Sequence, residues 1–193
     1  MKAHRILGRI IRLLRRIGIT LNPFFVVEEG RFSFPSGAKA TGLHLSVAAP
    51  SQVPELLTLQ KNHTEASLAQ WFAEGKVCFI AKVDGRISAL MWADLQAFNY
   101  PPNFRLLAED EAYLFAAIAA PELRGLNLAP TLRRYCYETL RAQGIRRFYS
   151  YSDLLNTPAR RFKAKLNAKE TALRVHIDLW GLWAANFTLR SYH

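Results

Sequence analysis

Asp84-Gly85 stands between two runs rich in apolar residues, Val77–Val83 and Ile87–Trp92. Asp-Gly suits a two-residue hairpin turn, because both central positions of a type I′ turn need a positive φ. Two antiparallel strands are expected to meet here, and the rest of the chain must build a sheet around them. Upstream, Leu43, Leu45 and Val47 alternate as a strand, Ser51 is placed to cap a helix, and a second helix is expected from Thr64 to Phe72. Residues 96–110 contain Asn99-Tyr100-Pro101-Pro102-Asn103, which favours an irregular connection on the substrate side. Ala112–Ala119 follows as a strand, and Leu128–Leu140 as a helix that Gly144 closes. Arg147–Ser152 is a further strand, Thr157–Leu166 a helix, and the last two strands lie near Thr171–Leu179 and Ala184–Arg190.

A chain of 193 residues, half of them apolar, can bury one good core. Cys78 and Cys136 fall inside a strand and a helix, with no CxxC and no Cys/His cluster, so a reduced cytoplasmic protein without metal is expected. The net charge of +11 favours polyanionic partners: phosphorylated cofactors, acidic carrier proteins, anionic lipid or nucleic acid.

Much of that charge is local. Lys2, Arg5, Arg9, Arg12, Arg15 and Arg16 all precede the first acidic residue, Glu28. Ile6, Leu7, Ile10, Ile11, Leu14 and Ile17 recur between them at helical spacing, giving a basic amphipathic helix that Gly18 can end. The arginines interrupt the apolar residues too often for a membrane span. Three uses fit the stripe: packing on its own domain or a second subunit as in a homodimer, lying in an anionic membrane surface, or targeting and docking of an acyl carrier protein. Pro23 then opens an extended run, Phe24–Val27, and Phe32 and Phe34 form another before Pro35-Ser36-Gly37 breaks the chain. Residues 1–42 therefore read as a basic helix plus an added strand or hairpin, attached to a domain of residues 43–193.

Between a strand and a helix stands Pro121-Glu122-Leu123-Arg124-Gly125-Leu126-Asn127-Leu128-Ala129. Unpaired N–H groups at a helix start, together with the helix dipole, make a site for a pyrophosphate, and Pro130 costs little in the first turn. This segment resembles the cofactor motif of the GNAT acetyltransferases, a Pro, two variable residues and Arg-Gly-x-Gly-x-Gly/Ala. Arg124, Gly125 and Ala129 match, and Asn127 replaces a Gly. Asn tolerates positive φ better than most residues, so the loop can keep its shape. The element order is also similar to that family's, which implies an α/β (α+β) fold: a mixed, mostly antiparallel sheet of six to seven strands, flanked by helices and splayed between the fourth and fifth. The resemblance further implies that the cofactor is acetyl-CoA or another acyl-CoA, held by Arg124, Gly125, Leu126, Asn127, Leu128 and Ala129, with its pantetheine along Ala117, Ile118 and Ala119.

A second segment, Asn156-Thr157-Pro158-Ala159-Arg160-Arg161-Phe162-Lys163-Ala164-Lys165-Leu166-Asn167, is similar to the family's Asn-x-x-Ala-x-x-x-Tyr-x-x-x-Gly stretch. Asn156 is implied beside the pantetheine, and it can cap the helix. Lys163 stands where the family has the Tyr that protonates the departing thiolate. It has three readings: a proton donor of lowered pKa, an anchor for an acidic substrate, or a lysine reaching from the stripe edge into water. Tyr149 and Tyr151 are the next candidate donors. Among candidate bases for the acceptor amine, Glu111 comes first, with Asp94 and Asp178 behind it and Tyr113 and His176 as further relays. Backbone N–H groups near Ile118 or Ala119 are expected to hold the oxyanion.

The expected protein is a cytoplasmic acyl-CoA-dependent N-acyltransferase acting on an unidentified small-molecule or lipid-linked amine, peripheral to the membrane if its first helix docks there. A non-catalytic acyl-CoA-binding module and a longer-chain transferase fed by acyl carrier protein are the alternatives. A basic nucleic-acid binder is the third reading, but no nucleic-acid signature appears, so no specific nucleic acid is expected.

Overall fold

The computed structural model describes residues 2–30, 40–100 and 103–192. Helix α1 (Lys2–Arg16) leads through Gly18 into β1 (Ile19–Glu29). Then come β2 (Leu43–Val47), α2 (Val53–Leu57), α3 (Glu65–Ala73), β3 (Val77–Val83), β4 (Arg86–Asp94), β5 (Ala97–Tyr100), β6 (Asn103–Leu106) and β7 (Glu111–Ala119). Helix α4 (Leu128–Ala142), β8 (Arg147–Asp153), α5 (Thr157–Ala164), β9 (Lys169–Leu179) and β10 (Trp183–Ser191) complete the chain. The expected break at Phe32, Phe34 and Pro35-Ser36-Gly37 lies outside the described residues, as do Pro101 and Pro102.

Eight strands form one sheet in the order β10-β9-β1-β8-β7-β4-β3-β2, and only the β7–β8 pair is parallel. The sheet has one strand more than expected, and the extra strand is β1. It is no appendage: it pairs antiparallel with β8 over Phe24–Glu29 and with β9 over Ile19–Glu28. The boundary at residue 42 therefore divides one sheet rather than two structural units. Pairing of this kind joins residues about 150 positions apart, and local sequence pattern carries no trace of it.

The Asp84-Gly85 hairpin forms as expected, with φ of 50° and 79° at its two turn residues. Both faces of this part of the sheet are covered, and alternation divides the side chains between them. Phe79, Met91 and Leu114 pack under Leu132, Cys136 and Leu140 of α4. Cys78, Ile80, Leu90 and Trp92 face the other way, onto Val53, Leu56 and Leu68 of the two small helices. Ser51 sits inside a 3-10 turn, Pro50–Gln52, whereas Thr64 does cap α3 by accepting from Ser67 N–H at 3.2 Å. Residues 97–100 and 103–106 pair as two antiparallel strands, β5 and β6, where an irregular connection was expected.

Helix α1 lies on β1, with Leu7, Ile11 and Leu14 half-buried and Gly8 buried against Leu155. Ile6, Ile10, Leu13 and Ile17 stay exposed. Among the described residues no helix is long and apolar enough to cross a membrane.

The end of β1 delivers a carboxylate into the interior. Glu29 is buried, accepts from Tyr137 Oη of α4 at 2.5 Å and from Ser150 Oγ of β8, and pairs with Arg133 at 3.5 Å and Lys163 at 3.8 Å. Burial pushes its pKa up, but the two cations and the two hydroxyl donors outweigh burial and hold it below the ordinary 4.5. A carboxyl depressed in the folded state contributes stability above its unfolded pKa and loses it as pH falls through the folded value. Glu29→Gln should therefore cost about 3–5 kcal/mol at neutral pH, since it strands two buried cations. Urea melts should show that loss, together with a flatter dependence on pH below 4.5 than the wild type has.

Candidate functional site

Strands β7 and β8 pair only at Glu111–Tyr113 with Arg147–Tyr149. Beyond Tyr113 they separate, as the expected splay requires. Opposite β4 the register slips by one residue between the pairs Trp92↔Phe115 and Leu90↔Ile118, and Ala116 takes a φ of 48°. This is a β-bulge, which bends the strand away from its partner. Alanine is the smallest residue with a Cβ, which limits the strain at this position.

The gap opens a cleft of about 750 Å3, within the size range of small-molecule sites. Ala116, Ala117, Ile118 and Ala119 form one wall, Tyr151, Ser152 and Asp153 the other, and the start of α4 and the face of α5 close it. Arg124, Gly125, Asn127, Leu128, Ala129 and Asn156 all line it. Leu126 does not: its N–H turns back to Leu123 O, 3.4 Å away. Asn127 adopts the left-handed conformation, φ 59°, and its side chain does not cap α4. The first-turn N–H groups of α4 thus keep no intrahelical acceptor. Gly125, at φ 88°, has open space where a Cβ would stand. Asn156 Oδ1 accepts from Ala159 N–H at 3.2 Å, so it does cap α5, and Asn167, at φ 54°, ends that helix.

Four cationic side chains line the cleft, Arg124, Arg133, Lys163 and Lys165, against one carboxylate, Asp153. Arg133 is 1% exposed, and its Nη1 has no hydrogen-bond partner among the described residues. A cationic cradle at a helix start, with an orphaned guanidinium nitrogen below it, fits a phosphate-bearing ligand such as CoA.

Lys163 does not reach into water. It is 6% exposed, lines the cleft, and donates from Nζ to Tyr151 O at 2.5 Å. Burial lowers its pKa, Glu29 opposes that, Arg133 adds to it, and the ammonium comes to about 8.

A second cavity of about 370 Å3 lies across the gap, lined by Trp71, Tyr113, Phe115, Tyr151, Glu74, Lys76 and Asp94 among others. Phe115 and Tyr151 line both cavities, so the two meet there. Lys76 pairs with Glu74 and stands 3.8 Å from Asp94, leaving two carboxylates to one ammonium. The Tyr151 hydroxyl is hydrogen-bonded with Tyr113, and burial raises its pKa above 10.0.

Glu111, the first candidate base, lies outside both cavities. It is buried, with Arg105 at 2.6 Å, Arg147 at 3.1 Å and the Ala108 N–H at 3.0 Å. Burial works against ionisation, but these partners hold its carboxyl below 4.5, so it is a poor base as well as a misplaced one. Tyr149 sits beside the same cluster, with Arg105 over its ring. Asp178 accepts from Gly181 N–H at the β9–β10 turn, and His176 bonds Asn186, both remote from the cleft. Sequence reasoning missed Trp71, Glu74 and Lys76. They belong to the end of α3 and the start of β3, and only the packing of α3 across β7 brings them to the gap.

The sequence profile described as "Acetyltransferase (GNAT) family" matches residues 49–167, more than half of the chain. No curated protein matches the sequence. A GNAT acetyltransferase structure from Novosphingobium aromaticivorans is similar at 20% identity and a TM-score of 0.59, covering 82% of this chain and 65% of its own. This chain thus spans about two thirds of that protein's length. The aminoglycoside N-acetyltransferase AAC(6')-Iy, solved with CoA, is similar at 16% identity and a TM-score of 0.54, covering 69% of this chain and 90% of its own. The Escherichia coli ribosomal-protein-S18-alanine N-acetyltransferase is similar at 16% identity and 0.53, covering 64% and 76%. Together with the splayed strands and the helix start that lines the cleft, the profile match shows that this chain belongs to the GNAT acetyltransferase family.

Proposed function

We propose that this protein transfers an acyl group from acyl-CoA, acetyl-CoA being the simplest donor, to an amine that enters the second cavity. The observation that carries this reading is the meeting of a cationic cleft and an acidic, aromatic cavity at Phe115 and Tyr151. An anionic donor and a cationic acceptor would each be drawn to its own side. CoA-bound AAC(6')-Iy and a soil-metagenome aminoglycoside acetyltransferase solved with sisomicin support the pairing of CoA with an amine-rich acceptor in this fold.

In this reading the N–H groups of Gly125, Asn127, Leu128 and Ala129, with Arg124 and Arg133, hold the phosphates. The open edge of β7 from Ala117 to Ala119 pairs with the pantetheine amides. The acceptor nitrogen, once neutral, attacks the thioester carbonyl, and backbone N–H near Ile118 or Ala119 holds the oxyanion. Asp94 takes the ammonium proton, directly or through water, and Glu74 adds to the field that attracts the amine. The tetrahedral adduct gives up its second nitrogen proton to water and collapses to the amide with loss of the thiolate. Lys163 gives that thiolate its proton. An ammonium with a pKa of about 8 is well matched to this work near neutral pH. Tyr151 is the second candidate donor, because it stands where the cavities meet.

Three outcomes test this. Gly125→Glu should reduce acyl-CoA affinity by 10-fold or more in calorimetry, since it places a carboxylate in the cradle, and the strain of a side chain at positive φ should cost only about 1–2 kcal/mol of stability. Asp94→Asn should lower kcat/KM for the acceptor 10-fold or more while leaving acyl-CoA affinity unchanged. Lys163→Met should lower kcat roughly 10- to 100-fold with little change in acyl-CoA affinity. The wild-type rate should fall as pH rises through about 8, because the acid must be protonated, and the variant should lose that limb. A limb that survives in Lys163→Met and disappears in Tyr151→Phe would transfer the donor role to Tyr151.

A further inference from the structure

Helix α1 covers only part of its apolar surface. While Leu7, Ile11 and Leu14 turn toward β1, Ile6, Ile10, Leu13 and Ile17 form a separate stripe, 57%, 47%, 63% and 57% exposed. These four positions fall within one narrow sector of the helix at 3.6 residues per turn, and Arg9, Arg12 and Arg16 occupy the sector beside it.

The stripe does not end with the helix. The β9–β10 turn lies against the two residues that follow α1: the Trp180 indole donates from Nε1 to Ile17 O at 2.8 Å, and Trp180 N–H donates to Gly18 O at 2.8 Å. Gly18 has no Cβ, and one placed there would collide with the indole, so only glycine lets the turn seat this closely. The turn then presents Trp180, Leu182 and Trp183 at 61%, 89% and 48% exposure. Among the described residues, a leucine 89% exposed between two tryptophans at a turn tip has no packing role. Asp178, the nearby carboxylate, accepts from Gly181 N–H within the turn.

We infer that α1 and the β9–β10 turn form a single surface that docks on an anionic lipid bilayer, with Ile6, Ile10, Leu13, Ile17 and Leu182 entering the interface and the arginines meeting the headgroups. Tryptophan prefers the level of the headgroups, where its ring is apolar and its N–H is met by polar groups. Charge selects lipid over a second copy of this chain. A two-fold contact through the stripe would crowd Arg9, Arg12 and Arg16 of one copy near those of the other, whereas an anionic surface complements them. No transfer chemistry enters this inference, so acyl-CoA affinity and vesicle binding fail independently.

The test is binding of the full chain to vesicles of phosphatidylcholine and phosphatidylglycerol in equal parts, beside vesicles of phosphatidylcholine alone. Binding should require the anionic lipid, weaken as salt rises to about 0.5 M, and move tryptophan emission to shorter wavelength with quenching by brominated lipid. Leu182→Asp and Leu13→Asp, both at exposed positions and with unchanged melting temperature, should each reduce partitioning 10-fold or more. No binding by the wild type overturns the inference. So does loss of binding in Leu13→Asp with full binding in Leu182→Asp, which would leave the turn out of the surface. A wild-type dimer in light scattering that becomes monomeric in Leu182→Asp would assign the patch to a second copy, and capture of an acidic acyl carrier protein in preference to vesicles would assign it to that partner.

Discussion

The buried carboxylate of Glu29 ties four elements of the fold together at one point. It reaches α4 through Tyr137 and Arg133, β8 through Ser150 and α5 through Lys163, and it belongs to a strand from the first thirty residues. A single anion facing two buried cations is not a self-sufficient ion pair. Its two hydroxyl donors make it tolerable in the interior, and the surplus positive charge is left to face the cleft. The cleft is cationic partly because the network beneath it is one anion short.

The gap itself has a mechanical origin. A parallel pair that begins at Glu111 and Arg147 would continue as an ordinary sheet if β7 stayed flat. The extra residue at Ala116 bends β7 away after three paired positions, and the lost strand hydrogen bonds leave an open edge facing the cleft. The ends of the strands are fastened by the ion pairs of Glu111 with Arg105 and Arg147 and of Asp110 with Arg147. Glu111 thus serves the site at a distance, as the closed end of a wedge.

Features set by local backbone geometry were legible in the sequence. Asp84-Gly85, Asn127, Gly144 and Asn167 all sit at positive φ where a turn or a helix end demands it, and Asn156 caps the helix it was expected to cap. Features set by distant partners were not. Nothing near Phe24 announces a place between β8 and β9, and nothing near Glu111 announces an arginine from β6. Lys163 was legible as a departure at a motif position, but whether it reached water or the interior depended on Glu29, more than a hundred residues earlier in the chain.

That dependence joins the amino-terminal strand to the chemistry. Without Glu29, burial and like-charge repulsion from Arg133 would act together on Lys163, opposed by Asp153 and Glu170, and its pKa would fall further. A neutral amine cannot protonate a thiolate. With Glu29 in place the pKa rests near 8, where the group is charged under most conditions yet gives up its proton readily. In the proposed mechanism Lys163 therefore depends on a buried acid within reach of α5, and β1 supplies it from the interior of the sheet. The first thirty residues thus shape the site electrically from below, while α1, which precedes them, carries its exposed stripe on the outside of the same fold.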